Sequence, residues 1–146
     1  MERLVTILWA GAILTGCFSC VGTHGSIKKY AYPHPKAEVE RAINALYVRE
    51  PGMRAPATFT QWQPSSPFFS FYLRGAAPLL YEIRFYGDEE VWKKQPNFSQ
   101  FSLIYVKEGE APAKSAPNMS QEEVRKHTSV FEQQIKGRID ALLTEK

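Results

Sequence analysis

A strict alternation of apolar and polar side chains between residues 68 and 86 constrains the fold of this chain most. Successive side chains of a β-strand point to opposite faces of its sheet. Along residues 79–86 one face would hold Leu79, Tyr81, Ile83 and Phe85, and the other would hold Leu80, Glu82, Arg84 and Tyr86. The pattern predicts an antiparallel strand with one buried face. Residues 68–73 alternate in the same way, and residues 74–78 suit a hairpin loop.

A third strand is predicted over residues 98–107, with Phe101, Leu103 and Tyr105 on the buried face. A short helical turn before it, over residues 87–94, begins with acidic residues and ends with lysines, which complements the helix dipole. These elements form a three-stranded meander. A fourth strand at residues 58–62 is a weaker expectation, because four prolines interrupt residues 51–67.

Two amphipathic helices flank the predicted strands. Residues 36–48 carry apolar side chains at i, i+3, i+4, i+7 and i+8, between Pro35 and Pro51-Gly52. The second helix begins at a capping-box sequence, Ser120 to Glu123, and its apolar stripe runs to Leu143. We therefore predict an α+β, two-layer sandwich, in which an antiparallel sheet of three to four strands has two helices packed on one face.

The N-terminal residues have the pattern of a secretory leader. Residues 4–14 form an apolar run that fits a signal-peptide core and is short for a bilayer-spanning helix. The run ends in Leu14-Thr15-Gly16-Cys17. This tetrapeptide resembles the lipobox of bacterial lipoproteins. The resemblance implies cleavage before Cys17, a diacylglyceryl group on its sulfur, and often a further acyl chain on the new amino group.

The resemblance also implies a location and a domain organisation. We expect a signal peptide over residues 1–16, a lipidated cysteine and flexible tether over residues 17–35, and a single α+β domain over residues 36–146. Phe18 follows the cysteine, and the absence of aspartate there favours the outer membrane over the inner one under the enteric sorting rule. Tyr86 to Trp92 is also similar to segments of small uncharacterised envelope lipoproteins, with no known activity attached.

Other interpretations of the leader stay open. Residues 4–27 contain no charged side chain, which is compatible with an uncleaved membrane helix, and cleavage near Ser19 would release a soluble secreted form. Cys17 and Cys20 also form a C-x-x-C pattern, but a redox motif would need a βαβ context. Cys20 is expected to be a second thiol in the tether.

The residues that could carry chemistry are scattered along the chain. No serine lies in a nucleophile elbow, and His24, His34 and His127 have no obvious acid or nucleophile partner, so each is expected to be solvated. The consecutive acidic side chains at residues 88–90 point in different directions on a helical turn, so they are poorly placed to share one cation. Their position is better explained as the acidic N-terminus of a short helix. The expectation is a non-enzymatic protein without cofactor or metal. Its net charge of +3 is too small to indicate nucleic-acid binding.

The face of the sheet turned away from the helices is the candidate partner surface. It would present Tyr72, Glu82, Arg84 and Tyr86, and tyrosine and arginine are favoured at protein interfaces. A plainly solvated face is the competing interpretation. The functional hypothesis is a lipid-anchored interaction or structural module that docks an envelope protein, or a second copy of itself, through this face. The alternative is a small-ligand-binding lipoprotein with an aromatic pocket that uses Trp62 and Trp92.

Overall fold

The computed structural model describes residues 25–56 and 68–145. The predicted strand at residues 58–62, Trp62 and Cys17 lie outside these residues. The elements in chain order are β1 (Lys28–Tyr32), α1 (Lys36–Arg49), a 3-10 turn (Pro51–Met53), β2 (Phe68–Leu73), β3 (Leu79–Phe85), α2 (Glu89–Lys94), β4 (Ser99–Glu108), a second 3-10 turn (Ala116–Asn118), α3 (Gln121–Phe131), a π-helical turn (Glu132–Lys136) and α4 (Gly137–Thr144).

The described strands form an antiparallel sheet in the order β1-β4-β3-β2. The meander of β2, β3 and β4 was expected; around Tyr30 and Tyr32 only a short extended piece was considered, and its pairing into the sheet as β1 was not predicted. Tyr30 pairs with Phe101 in the β1–β4 ladder, and Tyr30 and Tyr32 are 5% and 4% exposed. The prediction that residues 17–35 form a tether is therefore wrong for Lys28–Tyr32, because this strand supplies two side chains to the core.

The core lies between the sheet and the helices, as the predicted α+β two-layer arrangement requires. The apolar stripe of α1 and that of the C-terminal helix (α3, the π-helical turn and α4) contribute to one buried cluster with the inward side chains of the strands. Phe131 is fully buried at the centre of this cluster, within a group of aromatic side chains. The centroids of contacting rings in the group lie 5.4–6.3 Å apart. The rings in that group are Tyr30, Phe71, Tyr81, Phe101 and Phe131.

A β-bulge in β4 overturns one prediction about the sheet faces. Glu82 pairs with Tyr105 whereas the next residue, Ile83, pairs with Leu103, so Ile104 is an extra residue. One inserted residue shifts every later side chain to the opposite face. Val106, expected outside, is 3% exposed within the core cluster, and Tyr105, expected inside, is only half-buried.

The helix starts follow the sequence closely. The Asp88 carboxylate accepts a hydrogen bond from the Val91 amide at 3.0 Å, which caps α2. At the start of α3, the Ser120 hydroxyl accepts from the Glu123 amide at 3.1 Å, and the Glu123 carboxylate accepts from the Ser120 amide at 2.7 Å. These reciprocal bonds form the predicted capping box.

Candidate functional site

An exposed aromatic and cationic patch lies at one corner of the sheet, on the face away from the helices. Arg84 pairs with Phe68 in the β2–β3 ladder, and its guanidinium lies 5.5 Å from the centroid of the Phe68 ring. Tyr86 is 56% exposed, and its amide donates to the Gln100 carbonyl at 2.8 Å, which extends the ladder beyond β3. We call Phe68, Arg84 and Tyr86 the Arg84 patch.

Two other residues predicted for this surface behave differently. Tyr72 is half-buried. Glu82 is only 7% exposed, so its side chain offers almost no surface to a partner. Glu82 lies on β3, which has β2 on one side and β4 on the other. In these two ladders Glu82 pairs with Ser70 of β2 and with Tyr105 of β4. Burial raises the pKa of the Glu82 carboxyl, and the Ser70 hydroxyl partly opposes this by hydrogen bonding to the charged form.

Trp92, the described member of the predicted aromatic pocket, packs at the margin of the core. Its indole Nε1 donates to the Tyr86 carbonyl at 3.0 Å, and the Lys36 ammonium lies 4.3 Å from its ring centroid. These contacts hold the chain that follows the Arg84 patch against α1. The Trp92 side chain therefore helps to position Tyr86.

A buried polar cluster, which the sequence analysis missed, joins α3 to the sheet. His127 is 5% exposed, and its Nδ1 lies 3.3 Å from the Tyr81 hydroxyl. Its Nε2 lies 3.8 Å from the Glu108 carboxylate, which also contacts the Lys126 ammonium at 3.3 Å. Burial, with a smaller contribution from the charge of Lys126, lowers the pKa of the His127 ring.

The prediction of a solvated His127 is therefore wrong. Its distance of four residues from Phe131 placed it on the apolar stripe of the helix, and that spacing was the available signal.

A second cluster surrounds the π-helical turn. The hydroxyls of Tyr30 and Tyr32 are buried beside the carboxylates of Glu132 and Asp140. Burial raises the pKa of each phenol, and the nearby carboxylates of Glu132 and Asp140 add to the effect. The Lys136 ammonium lies 5.9 and 5.4 Å from the two ring centroids. The contributing residues come from both ends of the chain, so no local sequence pattern predicts this arrangement.

An open groove of about 680 Å³ lies at the tip of the β2–β3 hairpin. Met53, Leu73 and Leu79 line it from the core side, and Arg74 and Arg138 line it with polar groups. Trp92 is not among its lining residues. The groove therefore does not involve Trp92, and Trp62, the other residue of the predicted pocket, lies outside the described residues.

Comparison with models of protein families, with curated proteins and with solved structures gave no match to this chain. Within residues 25–56 and 68–145, no helix is both long and apolar enough to cross a membrane. Across the same two ranges, no group of three or more histidine, cysteine, aspartate or glutamate residues is arranged to hold a metal ion.

Proposed function

We propose that this protein is a lipid-anchored component of the bacterial cell envelope, and that its α+β body is a non-enzymatic module that docks a protein partner. The observation that carries the docking proposal is the Arg84 patch. It presents an exposed tyrosine beside an arginine stacked on phenylalanine. Tyrosine, phenylalanine and arginine are enriched at protein interfaces. Tyrosine and arginine are also frequent among the positions that contribute most of the binding energy.

The patch suits binding because the backbone beneath it is fixed and the Arg84 guanidinium already rests on the Phe68 ring. Arg84 and Phe68 lie opposite each other on paired strands, and Tyr86 is tied to β4 by its amide and to Trp92 by its carbonyl. Ordering a long side chain on binding costs about 0.5–1.5 kcal/mol, and a patch that is ordered beforehand avoids part of this cost.

The lipobox sequence supports the anchoring proposal. Lys28, the first residue of β1, follows Cys17 by eleven residues. A fully extended chain spans at most about 3.3–3.6 Å per residue. A lipid on Cys17 would therefore keep the start of β1 within about 40 Å of the bilayer. A partner in the same membrane, or in the layer next to it, would meet the body at a high local concentration.

The docking proposal is tested by photocrosslinking in cells. A photoreactive phenylalanine analogue at Tyr86 should give a discrete crosslinked product, identified by mass spectrometry. Arg84→Ala in the same chain should reduce its yield severalfold, because truncation of a central interface arginine commonly costs more than 1 kcal/mol. Recovery of a second copy of this chain would identify self-association.

The matched control uses α1, where Arg41 and Val48 are both exposed and Val48 is 79% accessible. The analogue at Val48, with Arg41→Ala as the second change, should give no discrete product. Equal crosslinking from both positions, or a Tyr86 product that is insensitive to Arg84→Ala, would refute docking through the Arg84 patch.

The anchoring proposal has its own test. Cys17→Ser should abolish lipid attachment and processing, and should move the protein out of the membrane fraction. Cys20→Ser serves as the control and should leave both unchanged. The intact mass of the membrane-extracted protein should correspond to a chain that starts at Cys17 and carries acyl groups. A mass that retains Met1 would contradict the anchor.

A further inference from the structure

The groove at the hairpin tip lies between the first 3-10 turn, the β2–β3 hairpin and the C-terminal helix. Its apolar surface consists of Met53, Leu73 and Leu79, of which Met53 is 5% exposed and the two leucines are partly buried against the core. Glu50 and, from the C-terminal helix, Gln134 and Arg138 also line the groove. The volume of about 680 Å³ lies within the usual range of small-molecule sites, and the groove is open to solvent with a lining that is about equally polar and apolar.

Arg74 is folded back over the first 3-10 turn. A Cβ atom placed on Gly52 would lie 3.6 Å from the Arg74 Nε and 3.9 Å from its Cζ and Nη2. The guanidinium therefore lies against the backbone of the turn, where the missing side chain of Gly52 leaves room for it. Among the residues that the structure describes, Arg74 has no ion-pair partner, so its donors are available at the groove.

The surroundings of Arg74 carry an excess of positive charge. Arg138 pairs with Glu50, and Arg49 pairs with Glu145 at 2.5 Å. Arg54 lies 5.1 Å from the centroid of the Tyr47 ring and has no ion-pair partner among the described residues. Of the charged groups that line the groove itself, Arg74 and Arg138 are cationic and Glu50, which pairs with Arg138, is anionic. This imbalance favours an anion at the groove.

We infer that the groove is a binding site for a small amphipathic organic anion, with its carboxylate on Arg74 and its apolar part on Met53, Leu73 and Leu79. A guanidinium presents paired donors that match the two oxygens of a carboxylate. The apolar part gains by leaving water for the surface between the hairpin and the turn. This site is separate from the Arg84 patch, and its existence does not depend on the docking proposal.

Titration of the ¹⁵N-labelled full-length protein with 3-phenylpropionate tests the inference. The backbone amides of Gly52 and Arg74 should shift together and saturate with one dissociation constant. 3-Phenylpropanol and 3-phenylpropylamine match the probe in size but lack its negative charge. Each should bind at least about tenfold more weakly, since one charge-assisted hydrogen bond accounts for that difference.

Two variants separate charge recognition from shape. Arg74→Gln should weaken 3-phenylpropionate binding about tenfold, whereas Arg125→Gln, which removes an exposed arginine on α3, should leave it unchanged. Ala77→Trp should block the groove without altering its charge, because Ala77 is an exposed lining residue. Shifts that do not saturate, equal binding of the alcohol, or full affinity in either groove variant would overturn the inference.

Discussion

Replacement of Phe131 by alanine should remove a large part of the stability of this protein. The side chain is fully buried, and its ring lies 5.5–6.3 Å from the rings of Tyr30, Phe71, Tyr81 and Phe101. These neighbours come from β1, β2, β3 and β4, so a cavity at Phe131 would face all four strands. Four surrounding rings anchored on one sheet leave little freedom to collapse into that space.

The expected cost follows from the cavity. A Phe→Ala change in a core costs about 3–5 kcal/mol, and the rigid surroundings favour the upper half of that range. Domains of this kind are stable by about 5–15 kcal/mol in total. The urea midpoint should therefore fall by more than about 1 M, given a slope of about 1–3 kcal/mol per molar urea. Phe131→Leu keeps most of the volume and should cost about 1–1.5 kcal/mol.

Urea unfolding followed by far-ultraviolet circular dichroism is the appropriate assay. The control is Val48→Ala on α1, where the valine is 79% exposed and its truncation should change the free energy of unfolding by less than about 0.5 kcal/mol. A loss below about 1 kcal/mol for Phe131→Ala would mean that the ring is not at the centre of the core. An equal loss for both variants would show that α1 is not oriented as described.

Two further predictions concern the buried histidine and the two glycines with positive φ, Gly87 and Gly109. Because the pKa of His127 is lowered in the folded state, the unfolded chain binds the proton first as the pH falls below about 6.5. The wild type should therefore lose more stability between pH 7.5 and pH 5.5 than His127→Gln, and equal losses in urea titrations would contradict this. Gly87→Ala should lower the melting temperature more than Gly109→Ala. Both glycines have positive φ, but only at Gly87 would a Cβ approach a side chain, that of Val91, at 2.9 Å; a larger effect at Gly109 would contradict it.

The fold class was predictable because its signals are local. The alternation over residues 79–86 and the apolar stripe of α1 are periodic patterns that identify a strand and a helix without knowledge of their neighbours. The cap residues Asp88 and Ser120 act within three residues of their partners, so the starts of α2 and α3 were equally visible. Any buried face then requires a second layer, and the α+β sandwich follows.

The candidate site was only partly visible in the same way. Arg84 and Tyr86 lie on the predicted outer face, whereas Glu82 is covered. An alternating pattern states which face a side chain belongs to. It does not state whether a strand is central or how far the neighbouring strands cover that face. The strand order β1-β4-β3-β2 makes β3 central and brings Ser70 and Tyr105 opposite Glu82.

The amino-acid sequence by itself determined the helices, the meander and the faces that must be buried, because these depend on residues a few positions apart. Only the tertiary structure decided that Tyr30 and Tyr32 complete the core, that Ile104 shifts the later residues of β4 to the opposite face, and that Arg74 folds over Gly52. Each of these depends on pairing or contact between segments far apart in the chain. The free energy of such contacts is set by packing and burial in three dimensions, which no local pattern encodes.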